Sequence, residues 1–414
     1  MTRMKRITLI ILSITTAFTC NAQCNEILSP SIASVHVTAG GNWLAPPIIQ
    51  LNQTVPIHIS FDDMTHEYHR YTYEIKHCDA NWNVSEALFT SDYIEGFYDG
   101  NTIDDYQESI NTVDDYTHYN LTIPNEKCRL KMSGNYMVTI FDENDDNTPV
   151  LKVCFLVVEN IAGIHFDVTT NTDYDIRGRH QQLEMNVSYP SLTVTNHEEQ
   201  IKTVVLQNYR WDNAIWLPKP TMVTRDALTW THCRQLIFDG GNEYRKFEIL
   251  DVNHANMGIE SMNWDGSQYH AHVWTDEPRN NYVYDEDANG AFVVRNIDNA
   301  ENDVTTEYVY VHFTLKCPPQ QGEIYLNGMW TSCPFKPEHL MTYNEETGMY
   351  EAIVKLKQGY YSYQYLLVDE NGRAMPVPSE GNFYQTENEY QALVYYRSPT
   401  DRSDRLVGYA HNGR

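Results

Sequence analysis

Three consecutive residues, His77, Cys78 and Asp79, carry side chains of the types that bind metal ions. Imidazole, thiolate and carboxylate groups are all zinc ligands. On a β-strand, however, neighbouring side chains point to opposite faces, so adjacent ligands rarely reach one ion. We therefore predict that these residues end a strand, with Asp79 and Asn81 bonding turn amides and Trp82 packing on the core. The sequence predicts no metal ligand here.

A second cluster, the acidic segment 142–147, begins like a calcium-binding loop, with oxygen-bearing side chains at alternate positions. Asn147 stands where an EF-hand needs glycine, and Val153 stands where it needs a bidentate glutamate. We predict an acidic hairpin turn, with weak calcium binding in an irregular loop as the alternative.

Motifs for covalent or phosphate chemistry do not stand out in the sequence. It contains no GxSxG serine elbow, and no paired-carboxylate or Walker-type motif is evident. We predict that the protein is not an enzyme and that it uses no cofactor and no metal. A glycan-cleaving enzyme is the weaker alternative, and it would need two facing carboxylates in a cleft.

The N-terminus has the features of a secretory signal peptide. Arg3, Lys5 and Arg6 precede an apolar run at 7–18 that is too short to span a bilayer, and small residues follow at 20–22. We predict cleavage after residue 22, so that the mature protein is exported and is not inserted in a membrane. Lipidation of Cys20 is the alternative, although Phe18 is bulky where a small residue is expected.

The composition is strongly acidic, with 29 Lys and Arg against 56 Asp and Glu and a formal net charge of −27. Cleavage after residue 22 removes three positive charges and gives −30. Such a chain repels phosphate backbones, which disfavours nucleic-acid binding. The charge serves solubility or steers the protein towards a basic surface, and the sequence leaves both open.

Cysteine spacing gives no metal or redox motif, because no CxxC pair occurs. Seven cysteines remain after residue 22, and an oxidising compartment permits disulfides. Cys317 and Cys333 are the pair closest in sequence. A disulfide between them and two free thiols are both compatible with the sequence.

Alternation of apolar and polar residues with period two recurs along the whole chain and predicts half-buried antiparallel strands. It covers segments 55–61, 136–140, 183–189, 309–315, 350–356 and 361–367. We predict an all-β fold of tandem antiparallel, immunoglobulin-like β-sandwich domains. The predicted division is a signal peptide (1–22), an N-terminal domain (23–160), a middle domain (161–303), an early-set immunoglobulin-like domain (304–397) and a C-terminal tail (398–414).

Several unusual aromatic and polar strings resemble the plug protein family of the type IX secretion system. They are GNWLAPPIIQL (41–51), YEIKHCDANW (73–82), DYTHYNLTIPNE (115–126), VVLQNYRWDNAI (204–215) and the C-terminal segment 395–409. Two shorter strings, TDYDIR (172–177) and GGNEYR (240–245), resemble the same family. The second of these predicts a tight turn entering a strand, because a glycine pair admits positive φ.

This resemblance implies a periplasmic protein that closes the periplasmic mouth of a large outer-membrane translocon barrel. Its partner would be that barrel, and its location would be the periplasm beside the outer membrane. The resemblance names no catalytic residue. Candidate partner-contact residues in the matching strings are Trp43, Asp173, Arg177, Arg210, Trp211, Asp212, Gly240 and Gly241.

The segment 322–363 is similar to early-set immunoglobulin-like domains of the glycogen-binding type. In those relatives an exposed aromatic side chain stacks on sugar rings, and Trp330 would be the candidate here. A carbohydrate-binding periplasmic or surface protein is therefore the alternative function. The competing interpretation places Trp330 in the core, because a sandwich needs aromatic side chains to fill its interior.

Overall fold

The computed structural model describes residues 25–412. The predicted signal peptide and the lipidation alternative at Cys20 lie outside the described residues. Strands dominate the described part of the chain, which contains no helix long and apolar enough to cross a membrane. Its α-helices are single turns at α1 (Thr90–Tyr93), α2 (His197–Gln200) and α3 (Asn302–Thr305). The 3-10 turns are Arg234–Leu236, Met329–Thr331, Pro337–His339 and Pro378–Glu380.

The first unit is a sandwich of two mainly antiparallel sheets. One sheet has the order β1-β12-β11-β5-β7 with β3 added in parallel on β12, and the other has the order β2-β4-β9-β8. Ile57, Ile59 and Phe61 of β4 are fully buried between them, as the period-two pattern predicts. The strands are β1 (Glu26–Ile27), β2 (Ile32–Ala39), β3 (Ile48–Gln50), β4 (Ile57–Asp63), β5 (Tyr71–Cys78), β6 (Ile94–Gly96), β7 (Asn101–Thr102), β8 (Asp105–Glu108), β9 (Thr117–Ile123), β10 (Cys128–Leu130), β11 (Gly134–Asp142) and β12 (Thr148–Val158).

The second unit packs a sheet of the order β13-β14-β18-β17, with β19 also on β14, against a sheet of the order β16-β15-β30-β31. Its last two strands come from the C-terminal end of the chain. The strands are β13 (Gly163–Thr169), β14 (His180–Ser188), β15 (Ile201–Gln207), β16 (Arg210–Trp216), β17 (Met222–Val223), β18 (Ala227–Trp230) and β19 (Ile237–Asp239).

The third unit lies between β19 and β30 in the sequence and is also a two-sheet sandwich. In one sheet β28 is central and pairs with β20, β23, β25 and β29, and the other sheet has the order β21-β22-β24-β27-β26. The strands are β20 (Arg245–Ile249), β21 (Ile259–Trp264), β22 (Tyr269–Val273), β23 (Phe292–Val294), β24 (Tyr308–Leu315), β25 (Glu323–Asn327), β26 (Thr342–Asn344), β27 (Met349–Lys357), β28 (Gly359–Val368) and β29 (Ala374–Pro376). The chain then returns to the second unit as β30 (Tyr390–Tyr396) and β31 (Arg405–His411).

A fourth apolar cluster joins the first unit to the second. Strand β12 buries Leu151, Val153 and Phe155 inside its own sandwich, whereas Cys154 and Leu156 face β15, β30 and β31 of the second unit. Burial on both faces accounts for the unbroken apolar run at 153–158 of this strand, because neither face meets water there.

The all-β prediction is confirmed, and the sheets are shared differently from the predicted division. Strands β20 and β23 precede residue 304, yet both pair with β28 of the third unit. Strand β30 precedes residue 397, yet it pairs with β15 of the second unit. Sequence spacing does not show this exchange, because strand pairing depends on which faces are covered after folding.

Candidate functional site: the contacts between the units

The residues of the His77-Cys78-Asp79 string point in different directions and have separate partners. His77 Nδ1 lies 2.9 Å from Ser85 Oγ and its Nε2 lies 3.1 Å from Ser133 O, while burial lowers the pKa of this imidazole. Cys78 faces the apolar cluster between the first and second units, and burial raises the pKa of its thiol to about 12. These partners give His77 and Cys78 structural roles.

Asp79 belongs to a charged cluster that joins the first unit to the C-terminal strands. Arg397 Nη2 donates to Asp79 Oδ1 at 2.5 Å, and the Asp404 amide donates to the same oxygen at 3.0 Å. Burial opposes the charge on Asp79, but the Arg397 guanidinium holds the pKa of this carboxyl below its ordinary value. Asp404 itself is 1% exposed and accepts from Lys202 Nζ at 2.7 Å and from the Ala80 amide at 3.0 Å.

A second charged cluster joins the first unit to the third. Asp62 on β4 is fully buried, and Lys357 Nζ and the Tyr308 hydroxyl each lie 2.6 Å from its Oδ2. The other carboxylate oxygen lies 2.6 Å from His118 Nδ1. Lys357 Nζ also donates to the Asp303 carbonyl at 2.7 Å and lies 4.0 Å from the centroid of the Tyr116 ring.

The contacts within the Asp62 cluster offset the free-energy cost of removing two charges from water. Burial opposes ionisation of Asp62, but the positive charge of Lys357 and the contact with His118 hold the pKa of the carboxyl below its ordinary value. Burial lowers the pKa of Lys357, and Asp62 offsets part of that effect. Such a pair stabilises an interface only while both partners are present, because either charge alone in the interior is costly.

Four of the predicted contact residues surround a cavity of about 160 Å³ where the three units meet: Trp43, Arg210, Trp211 and Asp212. Arg210 and Asp212 lie two residues apart on β16 and form a two-contact ion pair, with Nη2 to Oδ2 at 2.5 Å and Nε to Oδ1 at 3.2 Å. Trp43 packs edge-on against Tyr360 of β28, with ring centroids 5.7 Å apart.

Trp211 projects from β16 towards the first unit. Its ring lies 5.5 Å from that of Trp82 and 5.8 Å from that of Trp216. The predicted packing of Trp82 on a core is therefore found, and that core is the cluster between two units. The arrangement makes Trp211 part of the contact between the units.

Gly240 and Gly241 lie on an irregular connection between β19 and β20, so they join the second unit to the third and do not form the predicted tight turn. The Gly240 amide donates to Arg179 O at 2.7 Å, and the Gly241 amide donates to Asn382 Oδ1 at 2.8 Å. A Cβ atom on Gly240 would lie 2.1 Å from Phe383 O, which explains the glycine at this position. Both glycines line a second cavity of about 370 Å³, which Arg210 and Asp212 also line.

Asp173 and Arg177 lie apart from these cavities, on an outer loop of the second unit. The Asp173 amide donates to Gln182 Oε1 at 2.8 Å, and its carboxylate lies 3.1 Å from His232 Nδ1. Arg177 is exposed and has a positive φ of 50°. The structure thus divides the eight predicted contact residues into six at the contacts between units and two at the surface.

Trp330 is 8% exposed and belongs to the core of the third unit. Its indole nitrogen donates to Ser362 O at 3.0 Å, and its ring packs on Phe313 and Tyr361. The exposed stacking platform that the carbohydrate-binding alternative assigned to Trp330 is not present.

The remaining sequence candidates have simple structural explanations. Residues 143–147 form the turn of the β11–β12 hairpin, in agreement with the predicted acidic turn. Cys317 is a buried free cysteine, so it forms no disulfide with Cys333. Within residues 25–412, no three His, Cys, Asp or Glu side chains converge on a point that could hold a metal ion.

Sequence reasoning did not identify Asp62, Lys357 or Asp404, which carry much of the charge at the contacts between units. A signal was present at Asp62, since it follows Ile57, Ile59 and Phe61 on the opposite face of the same strand. A polar residue is expected on that face whether the face meets solvent or another unit. The sequence alone therefore does not distinguish an exposed Asp62 from a buried one.

The chain is similar to one protein-family model and to several solved structures. The model for the first domain of the type 9 secretion system plug protein matches residues 32–159. A crystal structure of a hypothetical protein from Parabacteroides merdae is similar over 94% of this chain and 99% of that one, with 36% sequence identity and a TM-score of 0.90. None of the curated proteins compared with the chain matches it. The chain belongs to the type IX secretion system plug protein family.

Proposed function

We propose that this protein closes the periplasmic mouth of the outer-membrane translocon barrel of the type IX secretion system while the translocon is not transporting. It performs no chemical step, and it acts by occupying the opening. The family match supports a role in type IX secretion.

The observation that carries the proposal is the ion pairing between the units, which is buried at Asp62 and half-buried at Asp79. Asp62 with Lys357 joins the first unit to the third, and Asp79 with Arg397 joins the first unit to the C-terminal strands. The second and third units are connected twice by the chain, at 240–244 and at 377–389. A protein that closes a wide pore has to keep its shape. The bonds that hold the three sandwiches to one another provide that rigidity.

The proposal is tested in a strain that lacks the protein. Secretion should continue, but the outer membrane should admit bulky hydrophilic antibiotics, and plasmid-borne protein should restore the barrier. Pull-down with tagged protein from envelope membranes should recover the translocon barrel. An unchanged antibiotic barrier in the deletion strain, or failure to recover the barrel, would refute the proposal.

Catalysis is tested with the same strain. If the protein acts as a closure, folded alanine variants at single exposed polar residues such as His66 should restore the barrier. A folded single variant that reproduces the deletion would instead reveal a catalytic site around that residue. Buried positions such as His118 are unsuitable for this comparison, because His118 contacts Asp62 inside the interface between the first and third units.

A further inference from the structure

The net negative charge of the described residues lies almost entirely on two of the three units. Residues 25–160 contain six Lys and Arg and 21 Asp and Glu, a net −15. Residues 240–389 contain nine Lys and Arg and 24 Asp and Glu, again a net −15. Residues 161–239 together with 390–412, which form the second unit, contain ten Lys and Arg and 11 Asp and Glu, a net −1. The second unit is therefore the part of the molecule that a negatively charged partner can approach with the least repulsion.

The outer loop between β13 and β14, together with the 3-10 turn at Arg234–Leu236, adds a local positive surface to this neutral background. Arg177 and Arg179 on the loop and Arg234 on the turn are exposed, and none has a carboxylate within ion-pair distance in the described part of the chain. The two acidic side chains in the loop are turned to other partners. Asp173 contacts His232 and Gln182, and Asp175 Oδ2 lies 2.8 Å from His180 Nδ1.

Hydrogen bonds within the outer loop hold it in one conformation. Thr172 Oγ1 donates to Asp175 O at 2.9 Å, and the Asp175 amide donates back to Thr172 Oγ1 at 2.9 Å. The Asp175 carboxylate also accepts from the Arg179 amide at 3.0 Å. It approaches Gly178 so closely that a Cβ there would lie 2.5 Å from Asp175 Oδ2. A surface ordered before binding loses less entropy when a partner docks.

Two large apolar side chains project beside the arginines. Tyr174 is 61% exposed and Ile176 is 74% exposed, and the Arg234 guanidinium carbon lies 5.9 Å from the centroid of the Tyr174 ring. Tyrosine and arginine are the residue types that contribute most binding energy at protein interfaces. We define the arginine surface as Tyr174, Ile176, Arg177, Arg179 and Arg234.

We propose that the arginine surface docks an acidic segment of the protein partner, so that the second unit faces the translocon and the two acidic units face away from it. This inference rests on the proposed function. Guanidinium groups bind carboxylates through two parallel hydrogen bonds, and the exposed tyrosine and isoleucine would cover apolar side chains next to those carboxylates. A protein segment fits better than a lipid surface, because anionic membranes are usually bound by four to eight clustered Lys and Arg.

The test compares two triple variants of the full-length chain with the same change in charge. The first replaces Arg177, Arg179 and Arg234 by Glu. The control replaces Arg129, Arg225 and Arg373 by Glu; these arginines are exposed, lie one on each unit and likewise lack a carboxylate partner in the described chain. Both variants should keep the melting temperature within about 3 °C of the wild type, because they change only surface positions. Binding to the translocon barrel recovered from deletion-strain envelopes is then measured at low and high salt.

The arginine-surface variant should bind at least about tenfold more weakly than the control, with slower association and a weaker dependence on salt. Equal binding of the two variants would refute the role of the arginine surface in docking and would leave the proposed function intact. Failure of the wild type to bind the barrel would refute the proposed function itself. Sedimentation with vesicles containing phosphatidylglycerol provides the lipid comparison: loss of vesicle binding in the arginine-surface variant, with barrel binding unchanged, would overturn the acidic protein segment as the occupant.

Discussion

Removal of Lys357 should separate the first unit from the third. Replacement by Met keeps an unbranched chain of similar length but leaves the Asp62 carboxylate without its cation at a position with no solvent exposure. Loss of one partner from a buried ion pair costs about 3–5 kcal/mol, and we expect K357M to lower the free energy of unfolding by that amount. The Tyr308 and His118 contacts to Asp62 remain in this variant, which favours the lower end of the range.

The double variant D62N/K357M distinguishes an uncompensated charge from lost packing. It removes both charges and leaves an amide oxygen for the Tyr308 hydroxyl, so it should be less destabilised than K357M alone. We expect a coupling energy of at least about 2 kcal/mol in the double-mutant cycle. K127M is the matched control, because Lys127 and Asp104 form an ion pair whose side chains are 46% and 69% exposed, and such pairs contribute about 0–1 kcal/mol.

Urea unfolding monitored by circular dichroism measures these energies. Protease cleavage in segment 297–303, which joins β23 to β24 and includes the Asp303 carbonyl bonded by Lys357, reports opening at the contact with the first unit. In K357M, cleavage there should be faster at urea concentrations that leave the sheets intact. A cost below about 1 kcal/mol for K357M, or additive effects of the two substitutions, would refute the argument that this pair fixes the units.

The remaining predictions concern pH, glycine geometry, thiol chemistry and core packing. Because the pKa of Asp62 is lowered in the folded chain, the unfolded chain takes up the proton first, so stability should fall as pH drops below about 4, and D62N/K357M should show a shallower fall in acid unfolding curves. G240A should destabilise by about 2 kcal/mol or more in thermal melts, since its Cβ would meet a backbone oxygen, whereas G163A, with ordinary contacts, should stay within about 1 kcal/mol. Cys78 should resist alkylation at pH 8 in the native protein and react after unfolding, as measured by peptide mass spectrometry; rapid native labelling would contradict its burial. W330A should cost about 3–5 kcal/mol in urea unfolding, as a core position does, and a stable variant with changed glycan binding would contradict this assignment.

The fold class could be predicted because many of the sandwich strands alternate over several residues. Segments 309–315 and 361–367, for example, predict strands that are found as β24 and β28. The opposite orientation of His77 and Cys78 also follows from strand geometry alone. These features depend on local periodicity, which a single sequence displays.

Partners distant in sequence could not be predicted. Strand β30 pairs with β15, although almost 190 residues separate the two strands in the sequence. Both have the apolar sequence of an ordinary strand, which could pair in many different sheets. Of the eight predicted contact residues, six lie where the units meet; Gly240 is buried there and the other five are half-buried. The resemblance identified unusual strings, but only the fold shows whether an unusual residue faces a partner protein or a neighbouring unit.

The return of the chain to the second unit imposes an order on folding. The first unit contains all of its strands within residues 25–159 and the third within 240–389, so each can assemble without the C-terminal strands. The second unit must wait, because β30 lies at the centre of its second sheet and β31 at the edge. Without residues 390–411, β15 would lack its neighbour and apolar faces would be exposed on two units. Strands β30 and β31 therefore complete both the second unit and its contact with the first.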